Sequence, residues 1–344
     1  MPLVSFLMSN YKTPPAYLRR ALDSVLAQTL TDFEAVVIND GVKDESYELL
    51  LGYAEKDGRI RLIENETNLG LPVSLNKGID ACRGKYIARM DTDDICLPDR
   101  LEKQVEYMES HPDVMFAGAW ADVFEEDEND IVFSWKPKMC PHEEYRVRLL
   151  FHNDPTLLHP TVIFRRDFLD SNALRYSEDP KMRYTEDYEM WTRCADRGKA
   201  GILEQVVLKY RNVQADSRIT VRHSSEMYGS SLYAQQGLLR RLGIEVTDEE
   251  AALNIGLLTG IKPYDVRYRR WMDKIISQNR KYGVYDQATL KRLLHERWYK
   301  SVAHGIVRKK TFRRRLRCFL TAYPTDMPRL AVLMIRRRFG TVKT

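Results

Sequence analysis

Lys85-Tyr86-Ile87-Ala88-Arg89-Met90-Asp91-Thr92-Asp93-Asp94-Ile95-Cys96-Leu97-Pro98 is the stretch on which the reading of the fold turns. A short apolar run fit for a strand ends in three carboxylates. Residues two apart on a strand point the same way, so Asp91 and Asp93 converge. Like charges that close repel unless protons or a cation lie between them. A hard divalent ion with oxygen ligands, Mg²⁺ or Mn²⁺, is the natural partner, and such an ion keeps positions open for phosphate oxygens. The strand end therefore reads as a diphosphate-binding site. The plainer reading is that Asp94 or Asp99 caps the helix marked by Pro98, Leu101, Val105 and Met108. The stretch alone leaves both open.

Upstream, apolar strands alternate with helical stripes. Leu3–Met8 suits a strand buried on both faces. Leu18, Ala21, Leu22, Val25 and Leu26 fall at helical spacing. Phe33–Ile38 is a second strand ending at Asn39-Asp40-Gly41, and Tyr47, Leu50, Leu51 and Ala54 mark a second helix. Arg59–Ile63 is a third strand, Asn68-Leu69-Gly70 turns into a helix through Val73, Leu75, Ile79 and Ala81, and Tyr86–Met90 is the fourth strand. This order predicts a mostly parallel sheet with helices on both faces. Ligands of such sheets sit at the carboxyl ends of the strands. Ser9, Tyr11, Asp40, Asn68 and Asp91 to Asp94 all fall there.

Downstream the pattern changes. Val114–Phe124 and Ile131–Trp135 read as a hairpin around an acidic turn. Thr161–Arg165 is a strand, Thr185-Glu186-Asp187 opens a helix carrying Tyr188, Trp191 and Ala195, and Ile202–Tyr210 returns as a strand. From about Ser224 only helical patterns remain, one with the capping-box signature Thr247-Asp248-Glu249-Glu250.

At 344 residues the chain can hold one large domain with an appendage, or two domains. No secretory signal is expected, because strand-like sequence starts at Leu3, and no apolar run approaches a bilayer span. Five scattered cysteines fit a reducing cytoplasm and speak against structural zinc or disulfides. The net charge of +5 is divided: residues 308–344 carry twelve Lys and Arg against Asp326. Basic charge confined to a tail suggests an anionic membrane surface rather than nucleic acid. Phe312, Leu316, Phe319 and Leu320 among Arg313, Arg314, Arg315 and Arg317 have the pattern of an interfacial helix, and Leu330, Leu333 and Met334 with Arg336–Arg338 repeat it. A helix docking the same apolar face on the protein fits equally well.

Over about residues 3–212 the chain resembles bacterial family 2 glycosyltransferases of the GT-A fold, of the surface-polysaccharide or lipooligosaccharide type. Val4-Ser5 through Tyr11 resembles the first strand and uridine-stacking loop, and Asn39-Asp40-Gly41 the paired-acid turn whose second acid contacts uracil. Asn68-Leu69-Gly70 with Asn76-Lys77-Gly78 is similar to the segment leading to the metal motif. Asp91-Thr92-Asp93 resembles the D-x-D signature, in which the last acid ligates the metal and the first lies near ribose and sugar. Thr185-Glu186-Asp187 resembles the E-D motif, whose aspartate is the general base. Two departures stand out. Tyr210-Arg211 is followed by Asn212-Val213-Gln214 where relatives often carry a histidine, so that ligand is missing or comes from His223. Arg267-Tyr268-Arg269-Arg270-Trp271 matches the R-x-x-R-W of processive members, but in a helical region without membrane spans it reads as coincidence.

The resemblance implies a GT-A catalytic domain over residues 1–223, with 1–110 its nucleotide-binding half and 111–223 a smaller antiparallel acceptor half, then a helical region over 224–344. It implies inverting, Mn²⁺- or Mg²⁺-dependent transfer of a hexosyl or N-acetylhexosaminyl group from a UDP-sugar to a glycan or lipid-linked glycan. Metal-bound diphosphate leaves without a protein acid, so one carboxylate suffices to take the acceptor's proton. Asp187 is that candidate, with Glu186 beside it; two acids also suit the first turn of any helix. The helix N-terminus is expected to keep Asp187 ionised. Nucleotide contacts are expected from Ser9, Tyr11, Asp40, Asn68, Lys77, Asp91 and Thr92, metal ligation from Asp93 and Asp91, and acceptor contacts from His159 and Trp191. Arg89 and Lys77 either meet phosphate or are solvated charges. The location expected is the cytoplasm, peripheral at the inner face of the plasma membrane. A nucleotidyltransferase is the rival enzyme, opposed by the absence of glycine from Ser9–Pro15. A non-catalytic, membrane-associated sugar-nucleotide-binding scaffold is the rival outside enzymes.

Overall fold

The structure is a computed structural model that describes residues 1–151, 157–212, 224–247, 249–251, 253–254, 267–308, 313, 316, 320 and 324–339. They form two compact units, Met1–His142 with Pro155–Ser230, and Glu143–Asp154 with Ser231–Thr344.

The first unit is built on a nine-stranded sheet. Its parallel part comprises β1 (Val4–Asn10), β2 (Phe33–Asn39), β3 (Ile60–Glu64) and β4 (Tyr86–Arg89), in the order β3-β2-β1-β4. The crossovers are α1 (Pro15–Leu26), α2 (Glu45–Lys56) and α3 (Leu71–Ala81). β1 and β2 are buried on both faces because helices cover them. Val4, Phe6 and Met8 pack with Leu18, Ala21 and Leu22 of α1 in one core. On the other face α3 lies so close that a Cβ on Gly78 would meet Leu7 Cδ1 at 2.3 Å. At the end of β2, Gly41 takes φ +74°, and a side chain there would run into the Thr67 backbone. These two glycines bring the strand ends and the loop before α3 together.

Beyond β4 the sheet becomes mixed. A two-residue strand β5 (Ile95–Cys96) and α4 (Arg100–Ser110) come after the acidic run, then β6 (Val114–Phe124) and β7 (Ile131–Trp135) make the expected hairpin. Helix α5 (His142–Leu150) intervenes before β8 (Ile163–Arg165), α6 (Arg166–Ser171), α7 (Glu186–Ala195) and β9 (Lys199–Arg211). β8 runs antiparallel between β4 and β6, β9 parallel to β6, and β5 antiparallel to β9. The β5–β9 ladder sets the carboxyl end of β9 beside the acidic run.

The second unit is helical: α8 (Ser224–Arg241), α9 (Arg267–Tyr282), α10 (Gln287–Arg308) and α11 (Met327–Phe339) are its main elements. Its core joins Val147, Leu150 and Phe151 with Leu239, Trp271, Ile275, Leu294, Trp298 and Leu330. Thr247 and Glu250 exchange the two bonds of a capping box, at 3.3 and 3.2 Å. Trp271, the tryptophan of the R-x-x-R-W match, is buried and donates to Asn254 Oδ1 at 3.1 Å. In α11, Leu330 is buried and Leu333 and Met334 pack on the same core, while Val332 and Ile335 are exposed. Phe312, Arg314, Arg315, Arg317 and Phe319 lie outside the described residues. Among the described residues no helix is long and apolar enough to cross a membrane.

Candidate active site

Where β4 ends, the chain leaves the sheet and one carboxylate oxygen each of Asp91, Asp93 and Asp94 lies within 4.8 Å of the others. Asp94 is fully buried; its Oδ1 accepts the Arg211 backbone N–H at 2.8 Å and its Oδ2 is buried without a hydrogen-bond partner. Burial, with the Asp91 charge adding, pushes Asp93 up to about 6. Burial, then the charges of Asp93 and Asp91, hold Asp94 well above the usual carboxylate range. An all-oxygen donor set with an orphaned buried oxygen fits a hard divalent cation. The capping alternative is not realised: Asp99 sits at the N-cap of α4 without a side-chain cap bond, and Asp94 is bound to β9.

Arg89 closes the other side. Expected either to meet phosphate or to be solvated, it is 2% exposed and ion-paired through Nη1 with Asp91 Oδ2. Its charge also bears on Glu186 and Asp187, which places the first turn of α7 in the field of the same guanidinium. Burial and the neighbouring Asp187 push Glu186 up to about 7. Burial raises Asp187 as well, against the Tyr188 N–H that donates to its Oδ1 at 2.7 Å and against Arg89. Burial thus works against the helix end that is expected to keep Asp187 ionised, and the Tyr188 N–H and Arg89 oppose burial.

On the nucleotide side, the Ser9 carbonyl accepts from Thr92 Oγ1 at 3.3 Å, and Thr13 Oγ1 lies 2.7 Å from the same hydroxyl. Tyr11 is 48% exposed at the end of β1. Asp40 is buried and accepts from Asn65 Nδ2, Leu69 N–H and Gly70 N–H at 2.8 to 2.9 Å, which folds the loop carrying the exposed Asn68. A carboxylate takes about four such bonds, so one acceptor position remains. Lys77 Nζ donates to the Glu64 carbonyl at 2.7 Å and to Asn65 Oδ1 at 2.9 Å, turned to the end of β3.

Of the two acceptor-side candidates, Trp191 is corrected: it is 4% exposed, stacked with Phe116 and Phe164, and is core. Its place on the inward stripe of α7 carries that packing signal. His159 is partly buried, with Nε2 2.8 Å from Tyr176 Oη; burial and Arg89 hold its pKa well below the ordinary value, so it is neutral. His223 lies outside the described residues.

Arg211 is a site residue that sequence reasoning missed, because the Tyr210-Arg211 pair draws attention to its C-terminal neighbours and not to the arginine itself. It is 3% exposed, its Nε donates to the Asp93 carbonyl at 3.0 Å, and its Nη1 donates to the Glu125 carbonyl at 3.2 Å. The guanidinium lies 3.9 Å from the Tyr17 ring centroid and 4.5 Å from that of Phe124. One residue thus holds the Asp93-Asp94 backbone and side chain. Asn76 does a similar job across the site, exchanging bonds with the Tyr176 backbone at 2.7 and 2.9 Å and steadying the segment before α7.

The family model described as "Glycosyl transferase family 2" matches residues 5–172. The uncharacterized glycosyltransferase MJ1057 of Methanocaldococcus jannaschii is 35% identical over 229 residues, 66% of this chain and 77% of that one. The amylovoran biosynthesis glycosyltransferase AmsE of Erwinia amylovora is 35% identical over 211 residues, 61% of this chain and 76% of that one. Among solved structures, S. aureus TarS 1–349 in complex with UDP-GlcNAc aligns with a TM-score of 0.55 at 13% identity, over 100% of this chain and 93% of that one. Mannosyltransferase PcManGT of Pyrobaculum calidifontis, in complex with GDP-Man and Mn²⁺, aligns with a TM-score of 0.53 at 14% identity, over 98% of this chain and 87% of that one. The mixed sheet with its helical C-terminal region is that of the GT-A fold, and the chain belongs to glycosyltransferase family 2.

Proposed function

We propose that this glycosyltransferase transfers a sugar from a nucleoside diphosphate donor, a UDP-sugar, with inversion, to a hydroxyl of a glycan or lipid-linked glycan in surface polysaccharide biosynthesis. The observation that carries this reading is the convergence of Asp91, Asp93 and Asp94 within 4.8 Å at the end of β4. The names of AmsE and the UDP-GlcNAc complex of TarS support the pathway and donor.

Asp93 and Asp91 would hold Mn²⁺ or Mg²⁺, with a carboxylate oxygen of Asp94 third in reach. When bound, the ion offsets charge on the departing diphosphate. Tyr11 stacks on the base, Asp40 accepts its N–H, and Ser9, Asn68, Thr92 and Lys77 line the nucleotide side. Asp187 takes the proton of the acceptor hydroxyl as its oxygen bonds to the anomeric carbon. The bond from that carbon to the diphosphate oxygen breaks, and its electron pair leaves with the nucleoside diphosphate. Glu186, near neutrality, retains a proton part of the time and leaves the basic role to its neighbour. Neutral His159 offers the acceptor a hydrogen-bonding group without a competing charge. Arg89 balances the two acid groups so that both can be deprotonated in one site.

The test is a panel of UDP- and GDP-sugars with Mn²⁺, and then Asp187→Asn with the donor that works. Slow donor hydrolysis by the parent, with transfer abolished and donor binding intact in the variant, is the expected result. Full transfer by Asp187→Asn assigns the base elsewhere. The twelve basic residues of 308–344 support contact with an anionic membrane at the cytoplasmic face. Cosedimentation with phosphatidylglycerol vesicles but not with phosphatidylcholine vesicles is the outcome that reading requires.

A further inference from the structure

Strand β7 stands apart from the sheet around it. Ile131, Val132 and Phe133 are 36%, 54% and 49% exposed, and Ser134 is exposed as well. The β6–β7 register shifts within it: Val123 lies opposite Phe133 and Phe124 opposite Ile131, so Val132 is the extra residue of a bulge and its side chain lies in water. β7 pairs with β6 alone, and among the described residues no strand covers its other edge. Proteins ordinarily blunt such an edge with charge, proline or a bulge facing outward. Within β7 the bulge at Val132 is the one such device, and the charges lie at the two ends.

Those ends differ in sign. Glu125, Glu126, Asp127 and Asp130 precede the strand and are exposed; Lys136 and Lys138 come after it and are exposed. Glu128 is engaged by Arg20 at 2.9 Å. A strand that is acidic before and basic after an apolar centre is complementary to itself when antiparallel and repels itself when parallel.

We infer that the free edge of β7 receives the β7 of a second copy of this chain, antiparallel about a two-fold axis, with the acidic end of each strand beside the basic end of the other. Phe133 then lies near its equivalent, and the acidic turn of each copy, with Asp130, lies beside Lys136 and Lys138 of the other. The contact is isologous and closed, so it ends at two copies. An anionic membrane is a poor occupant, because four exposed acids outnumber two lysines at this edge. A single strand pair is a small interface, so the dimer is weak and forms only as concentration rises.

Sedimentation equilibrium of the full chain from about 1 to about 200 µM tests this. The parent should titrate from monomer to dimer. Asp130→Lys and Lys136→Glu, each alone, set like charges together and should raise the dissociation constant about tenfold or more. An equimolar mixture of the two variants restores opposite charges at both ends, and should recover the dimer as a mixed pair. Phe133→Asp should abolish dimerisation with the melting temperature unchanged, since the side chain lies in water. A parent that stays monomeric, a dimer indifferent to Phe133→Asp, or a mixture that fails to re-form it overturns the proposal. So does a monomeric parent that Phe133→Asp releases from phosphatidylglycerol vesicles, which assigns the edge to lipid.

Discussion

The two units bury polar groups in opposite ways. In the sheet unit the buried polar side chains include Asp94, Arg89, Arg100 and Arg211, all charged and several with atoms lacking a hydrogen-bond partner. In the helical unit the buried amides Gln235, Asn254 and Asn279 are neutral: Asn254 bonds Gln235 and the Trp271 indole, and Asn279 bonds the Tyr285 backbone. Satisfied neutral networks make a core specific at small cost, whereas uncompensated buried charge costs stability. The charged cluster of the sheet unit is therefore held at the expense of its own fold, whereas the amide network of the helical unit supports its core. Activity and stability should separate along that line.

The sharpest break would come at Asp93. Asp93→Asn should lower transfer by about 10³-fold, as loss of a metal-held transition-state contact does. The same variant should leave the metal-free protein as stable as the parent or more so at pH 8. The sign comes from Asp93 at about 6 and Glu186 at about 7, both raised. A raised carboxyl contributes stability that is fully present below its unfolded value near 4 and is lost as pH rises through 6 to 7. Metal-free parent should melt lower at pH 8 than at pH 5.5, the drop should shrink in Asp93→Asn, and Mn²⁺ should restore the melting temperature at pH 8. Calorimetric scans with and without chelator read all three.

Asp187→Asn comes next, with a loss of about 10²- to 10⁴-fold in turnover and little change in donor affinity. Its acid limb should sit above the usual aspartate range, because burial raises Asp187. A rate profile from pH 5 to 8 measures it. Arg211→Met is smaller: the apparent Mn²⁺ constant should rise about tenfold while turnover at saturating metal stays within a few-fold, and Arg211→Lys should recover part. Smallest in activity is Asn279→Ala in the helical unit. Removing both bonds to Tyr285 should cost about 1–3 kcal/mol of stability with transfer unchanged. An Asn279→Ala variant that lost turnover without losing stability would blur the contrast between the units.

Legibility in the sequence divides along similar lines. The parallel strands are legible because β1 and β2 are apolar on both faces and end in polar turns, and the three-acid run names its own chemistry. Short or context-made elements are not: β5 is two residues long and exists through its ladder to β9. α5 lacks a clean amphipathic stripe, and its Val147 and Leu150, with Phe151 just beyond, find partners only in the helical core. Arg211 escapes notice because its partners, Asp93, Glu125, Tyr17 and Phe124, are scattered along the chain, and spacing cannot announce them. Trp191 misleads because an aromatic at helical spacing near acids suits a sugar platform and a core equally well.

Titration calorimetry of UDP into the parent, first with Mn²⁺ and then with excess chelator, probes the central claim most directly. The account predicts binding with the ion, at least about tenfold weaker without it, and no such difference in Asp93→Asn. Equal affinity under both conditions would contradict it.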